Sequence, residues 1–317
     1  MSKPNLIAID LAKNVFQFCH MSPAGKVLTN KEVSRAKLKE LLFTSPPSLV
    51  AMEACSGAHY WARLAQSVGH TVKVINPKII KGFQFKQKTD KNDALAIATA
   101  ASLAHIHSSK VLTINEQTLQ SMDRVRSLAI EQQRSSSNQI RALLFEFGIT
   151  VPQGSSALRK QIPLILEDAE NGLPTEFRQL LHSLWEQLQN QMAFVQDITI
   201  KLENTVKSNP ICNKLMQLEG VGPICSLALY IRLGNGEAFK KSKDASACVG
   251  LTPRQHSSGG KERIGGISKT NADKRLRSIL FQGALSVINH ITKRSPRTYK
   301  EQWLKALIER RGKKLLP

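Results

Sequence analysis

Asn5-Leu6-Ile7-Ala8-Ile9-Asp10, an apolar run closed by a carboxylate, decides how the first third of this chain is read. The run is short, β-branched and bounded by polar residues, which marks a buried strand rather than a helix. Working outward, Val15 to His20 reads as a second strand. Lys26 to Thr29 reads as a third, after the turn Ser22-Pro23-Ala24-Gly25. A helix is expected over Ser34 to Phe43, a strand over Leu49 to Met52, a helix over His59 to Val68, a strand over Thr71 to Ile75 and a helix over Lys91 to Leu103.

The resulting order is β-β-β-α-β-α-β-α, and with a carboxylate ending the first strand it fits the ribonuclease-H type of α/β fold. Beyond it, Leu119, Met122, Val125, Leu128, Ile140, Leu143 and Leu144 recur at near-helical spacing between Asn115 and Phe147. A second amphipathic pattern runs from Thr175 to Val206, with neither Gly nor Pro inside. Long helices of this kind pair, so the middle of the chain reads as a helical hairpin or coiled coil, within one subunit or between two; an ordinary helical subdomain satisfies the pattern equally. Three regions are expected: residues 1–110 as the α/β domain, 111–208 as the helical spacer, and 209–317 as a mainly α-helical C-terminal domain.

The 317 residues carry 45 Lys plus Arg against 24 Asp plus Glu, a formal charge of +21. That excess is far beyond what solubility requires and points to a polyanionic partner, nucleic acid first. A membrane surface would call for a basic amphipathic helix or an apolar span of about 20 residues; the sequence has neither. The N-terminus lacks a secretory pattern, so a cytoplasmic location is expected. Cys19, Cys55, Cys212, Cys225 and Cys248 are widely spaced without a C-x-x-C pair, which indicates free thiols rather than disulfides or a zinc site.

Asp10, Glu53, Asp90 and Asp93 are the carboxylates that this fold can bring together. Two end strands. The other two stand three apart at a helix start and share one helix face. Taken singly, each has an ordinary reading as a cap, a first-turn acid or a turn residue. As a set they repel one another unless a divalent cation neutralises them, and hard oxygen ligands suit Mg²⁺ or Mn²⁺, the ions of phosphoryl transfer.

Further on, Leu218-Glu219-Gly220-Val221-Gly222-Pro223 precedes an apolar helix pattern and resembles a helix-hairpin-helix turn, in which Gly220 and Gly222 let backbone amides approach phosphate. The equal alternative is a Gly-Pro helix start without a ligand. Gln255-His256-Ser257-Ser258-Gly259-Gly260-Lys261 reads as an exposed loop, followed by Ile267-Ser268-Lys269 and the basic run Lys274-Arg275-Leu276-Arg277. Arg254, Lys261, Lys269, Lys274, Arg275 and Arg277 are the candidate phosphate contacts. His256 is a candidate local base, though a solvated loop histidine fits it as well.

The ordered set Ala8-Ile9-Asp10-Leu11-Ala12-Lys13, Met52-Glu53-Ala54, Thr89-Asp90-Lys91-Asn92-Asp93-Ala94, Gly220-Val221-Gly222, Gly250-Leu251-Thr252-Pro253, Ser258-Gly259-Gly260-Lys261 and Ile267-Ser268-Lys269 resembles the Asp-Glu-Asp-Asp transposases of bacterial insertion sequences. Site-specific DNA invertases and bridge-RNA-guided recombinases are related members. The resemblance implies a RuvC-like N-terminal domain, a coiled-coil spacer and a C-terminal domain with a nucleophilic serine. It implies Asp10, Glu53, Asp90 and Asp93 as metal ligands and Ser258 as the group that becomes linked to DNA. Ser258, rather than Ser257, directly precedes the glycine as in the family pattern. After Ile267-Ser268-Lys269 the chain has Thr270-Asn271-Ala272-Asp273, where the family more often has a glycine. The implied partners are donor and target double-stranded DNA, a noncoding guide RNA and further copies of the chain as a dimer or tetramer. The competing reading is a metal-dependent junction nuclease that uses water as nucleophile.

Overall fold

The computed structural model describes residues 5–85, 87–267 and 273–312. The chain divides into two compact units, 1–115 and 116–317. The boundary thus falls at the start of the first long helix, and the middle and C-terminal thirds share one unit.

The first unit is built on β1 (Leu6–Asp10), β2 (Val15–Met21), β3 (Val27–Ser34), β4 (Leu49–Glu53) and β5 (Thr71–Ile75), in the order β3-β2-β1-β4-β5. β2 is antiparallel to both β1 and β3, whereas β1, β4 and β5 run parallel. Between them lie α1 (Arg35–Thr44), α2 (Ala58–Ser67), the short α3 (Pro77–Ile80) with a following 3-10 turn at Lys81–Phe83, and α4 (Asp90–Ser102). Side chains alternate across a strand. Ile7, Ile9, Phe16, Phe18, Val50 and Met52 therefore bury one face of the sheet under α1 and α2. Leu6, Ala8, Cys19, Met21, Ala51 and Ile75 bury the other under α4. The buried face of α4 is rich in alanine, including Ala94, Ala98 and Ala101, and such small side chains let the helix lie close on β1 and β2. β3 runs past the expected Thr29 to Ser34, because Lys31, Glu32 and Val33 continue the pairing with Phe18, Gln17 and Phe16. The polar composition of that extension hid it in the sequence.

The second unit begins with α5 (Ile114–Glu146) and α7 (Thr175–Lys207), joined through α6 (Ser155–Glu167). Ile140 and Leu144 of α5 pack with Leu181, Trp185 and Leu188 of α7. Leu119 and Met122 pack with Ile198, Leu202 and Val206. The two helices therefore run antiparallel, with Arg126 Nε donating to Thr199 Oγ1 at 2.7 Å between them. α6 escapes a propensity reading because Pro163 lies inside it. α8 (Pro210–Met216), α9 (Pro223–Leu233), α10 (Ser242–Val249), α11 (Lys274–Ile291) and α12 (Tyr299–Arg311) complete the helices, and β6 (Pro253–Ser258) pairs with β7 (Lys261–Ile267) as an antiparallel hairpin. Among the described residues no helix is long and apolar enough to cross a membrane.

Candidate active site

Asp10 and Glu53 end the two parallel central strands β1 and β4, which are in register through Ile9 and Met52. By alternation both carboxylates stand on the sheet face that α4 covers, since Ala8 and Ala51 belong to that core. In open α/β sheets the carboxyl ends of parallel strands are where ligands bind. α4 starts at the same place. Its N-cap is Thr89, whose hydroxyl accepts from Asn92 N at 3.3 Å, so Asp90 is the first helical residue rather than the cap. Asp93 follows in the first turn, where the helix dipole favours negative charge.

Asp10 feels the charge of each of the other three carboxylates. The Asp10 carboxyl is pushed up from 3.8 to about 6, chiefly by burial, then by Asp93, Asp90 and Glu53 in turn. Glu53 is raised by burial and by Asp93, against the opposing charge of Lys88. The nearby Cys55 thiol is raised by burial and by the charges of Glu53 and Asp10. Asp93 Oδ1 accepts a hydrogen bond of 2.8 Å from Gln84 Nε2. Among the described residues no three His, Cys, Asp or Glu side chains close on one point as a finished ligand shell. The chemistry of the donors is nonetheless that of a hard divalent cation: all oxygen, with Asp10 and Glu53 partly desolvated and carrying negative charge that such an ion would neutralise.

Gln17, Asn30 and Gln84 are the residues around this cluster that sequence reasoning missed. Gln17 had a signal, being one polar side chain inside the apolar run Val15 to Cys19. Asn30 and Gln84 had none, since their roles depend on long-range contacts.

Ser258 lies not on a loop but at the end of β6, beside a two-residue turn. Gly259 and Gly260 both take positive φ, +55° and +76°, as a tight hairpin turn demands. Ser258 stands opposite Lys261, His256 opposite Arg263, and Ser257 opposite Glu262. Alternation then gives the hairpin two unlike faces: Ser258 shares one with His256, Lys261 and Arg263, while Ser257 shares the other with Glu262 and Ile264. β6 is exposed throughout, and β7 is exposed up to Ile267.

The other candidate phosphate contacts divide. Lys261 and Lys274 are exposed. The Arg275 guanidinium is paired through both terminal nitrogens with the buried carboxylate of Asp123, which compensates its charge and ties α11 to α5. Arg277 is half-buried on α11 and Arg254 exposed on β6. Lys269 lies outside the described residues, as does Ser268. Gly220, with φ +80°, sits between α8 and α9 against Gly283 of α11; a Cβ there would come within 2.8 Å of the Gly283 carbonyl oxygen. Its missing side chain is thus required for packing. Gly222 caps α9 and has open space where a side chain would be.

Comparison with known proteins agrees with this layout. Residues 7–149 match a transposase family model of the IS110 DEDD type, and residues 212–300 match the model described as the IS116/IS110/IS902 transposase family. The transposase for insertion sequence element IS1111A of Coxiella burnetii is 35% identical over 98% of this chain and 85% of that protein. A probable family 20 transposase of Pseudomonas aeruginosa is 35% identical over 96% of this chain and 90% of its own length. The pilin gene-inverting protein of Moraxella lacunata is more distant, 25% identical over 90% of this chain and 84% of that protein. Similarity of that degree along nearly the whole length shows that the chain belongs to the IS116/IS110/IS902 family of transposases and is an enzyme of DNA transposition.

Proposed function

We propose that the chain cuts and rejoins DNA through a covalent phosphoserine link, with a RuvC-like carboxylate site holding Mg²⁺ or Mn²⁺ and Ser258 as the nucleophile. The observation that carries the reading is the placement of Asp10 and Glu53 at the carboxyl ends of the parallel strands β1 and β4, with Asp90 and Asp93 in the first turn of α4. A bound divalent ion supplies charge neutralisation and activation of a phosphoryl group. Ser258 Oγ attacks phosphorus and loses its proton; the bond from phosphorus to the 3′ oxygen breaks, and that oxygen leaves as a hydroxyl. The phosphodiester bond energy is kept in the serine ester, so attack by a different 3′-hydroxyl rejoins the strands. Lys261 and Arg263, on the Ser258 face of the hairpin, stabilise the charge that builds on the phosphoryl oxygens.

On this reading the partners are donor and target double-stranded DNA, with a noncoding RNA as guide and with further copies of the chain. The long α5–α7 hairpin serves as the spacer and, as a coiled coil, the place where copies meet. The +21 charge supports polyanion binding of this extent. The test is a trapped adduct. Incubated with DNA and Mg²⁺ and then denatured, the protein is expected to carry covalent DNA, which Ser258→Ala abolishes and Ser257→Ala retains. Strand cleavage without an adduct, undiminished in Ser258→Ala, would instead establish water as the nucleophile.

A further inference from the structure

Gln17 lies directly across from Asp10 in the β1–β2 pairing, on the sheet face that carries the carboxylates. It is 2% exposed, in a position where an apolar side chain would ordinarily stand. Its Nε2 donates to Asn30 Oδ1 at 2.6 Å, and Asn30 Nδ2 donates in turn to the Lys91 carbonyl at 3.0 Å. A backbone carbonyl can only accept, so Lys91 fixes the direction of the whole relay: Asn30 must present its nitrogen to Lys91 and its oxygen to Gln17. Gln17 must then spend its nitrogen on Asn30. Its Oε1 is left buried and without a partner among the described residues. Gln17, Asn30 and Lys91 thereby join the strand facing Asp10 to the helical turn that holds Asp90 and Asp93.

A buried carbonyl oxygen without a donor is costly, on the order of 1–3 kcal/mol, and such groups are rare in folded proteins. Ionised carboxylates around it cannot serve, because they only accept. We propose that Gln17 is a positioning residue of the cation site. Its Oε1 accepts a hydrogen bond from a water in the hydration shell of the divalent ion, while its Nε2, through Asn30, holds the first turn of α4 in register with β1. Mg²⁺ and Mn²⁺ keep part of their water when held by carboxylates, and outer partners of this kind orient the ligands. The proposal rests on the reading of the carboxylates as a cation site.

The test uses the full chain and Mn²⁺ itself, with binding followed by the loss of the free-ion electron paramagnetic resonance signal and melting followed in EDTA. Gln17→Leu removes both polar atoms at nearly constant volume. It is expected to bind Mn²⁺ at least about tenfold more weakly, the range found for outer partners of metal ligands. Its melting temperature in EDTA is expected to change little, because the orphaned oxygen is gone while Asn30 Oδ1 loses its donor. A merely structural glutamine would give the opposite pattern: a lower melting temperature and unaltered ion affinity. Gln17→Met, which keeps the length of the side chain, replaces the leucine variant if that one does not fold. Tight binding by the unaltered chain with equal binding by the folded variant would overturn this proposal alone. No binding by the unaltered chain would overturn the cation site itself.

Discussion

Asp10 is the residue at which the proposed function and the stability of the metal-free fold oppose each other. In the folded chain it takes up a proton at about pH 6, and in the unfolded chain near 3.8, so between those values the folded state holds more protons. Without metal, the contribution of Asp10 to stability therefore declines as pH rises from about 4 to 6 and stays at the lower level above. Asp10→Asn removes this charge. In EDTA at pH 7.5 the variant is expected to melt a few degrees higher than the unaltered chain, with the difference vanishing near pH 4, while DNA cleavage with Mg²⁺ is lost. A lower melting temperature for Asp10→Asn at pH 7.5, measured by calorimetry, would show that the carboxylate stabilises the metal-free fold. Gly283 makes a separate point at the same scale. Its backbone meets that of Gly220, so Gly283→Ala forces a backbone collision that no rotamer relieves. It is expected to cost about 3 kcal/mol, read by urea unfolding, whereas Gly222→Ala, with open space around it, is expected to cost far less.

At the scale of elements, the β6–β7 hairpin stands apart from the rest of the second unit. Its residues are exposed on both faces almost to Ile267, and a two-stranded hairpin with no face buried is marginal in water. Its amides are expected to exchange with solvent within seconds in the free protein and to become protected when DNA is bound. Equal protection with and without DNA, followed by hydrogen exchange and mass spectrometry, would mean that the hairpin does not meet the substrate. α11 behaves differently. The Arg275–Asp123 pair buries the Asp123 carboxylate against α5, and removing one partner from such a pair strands the other. Asp123→Ala is therefore expected to destabilise the second unit by about 3 kcal/mol, within the range for broken buried pairs, and to be rescued in part by Arg275→Met.

At the scale of the whole molecule, the carboxylates lie in the first compact unit and Ser258 in the second. If copies of the chain share their sites, Asp10→Ala and Ser258→Ala complement each other. Mixed in equal amounts and allowed to exchange subunits, the two inactive proteins are expected to regain part of the activity. A mixture that stays inactive, with mixed oligomers shown to form, would place each complete site within one chain. The charge of +21 has its own consequence. A protein that contacts 6–10 phosphates loses roughly a thousandfold or more in affinity between 50 and 200 mM salt, and a titration over that range should show a loss of this order.

The strands β1, β2, β4 and β5, the helices α1, α2 and α4, and both long helices were legible from apolar periodicity, because burial imposes a period of two or 3.6 on any element with a solvated side. The positions of the four carboxylates were legible because strand ends and a helix start occur at fixed points of that pattern; their role stays a proposal. The sequence by itself thus determined the elements and the residue types that stand at their ends. Only the tertiary structure decided what meets what. The sheet order set Gln17 against Asp10 and left its oxygen without a donor among the described residues. The pairing of β6 with β7 separated Ser258 from Ser257, and the fold placed Arg275 on Asp123. Each of these depends on contacts between residues distant in the chain, set by strand register and helix packing, and local periodicity carries no information about such partners.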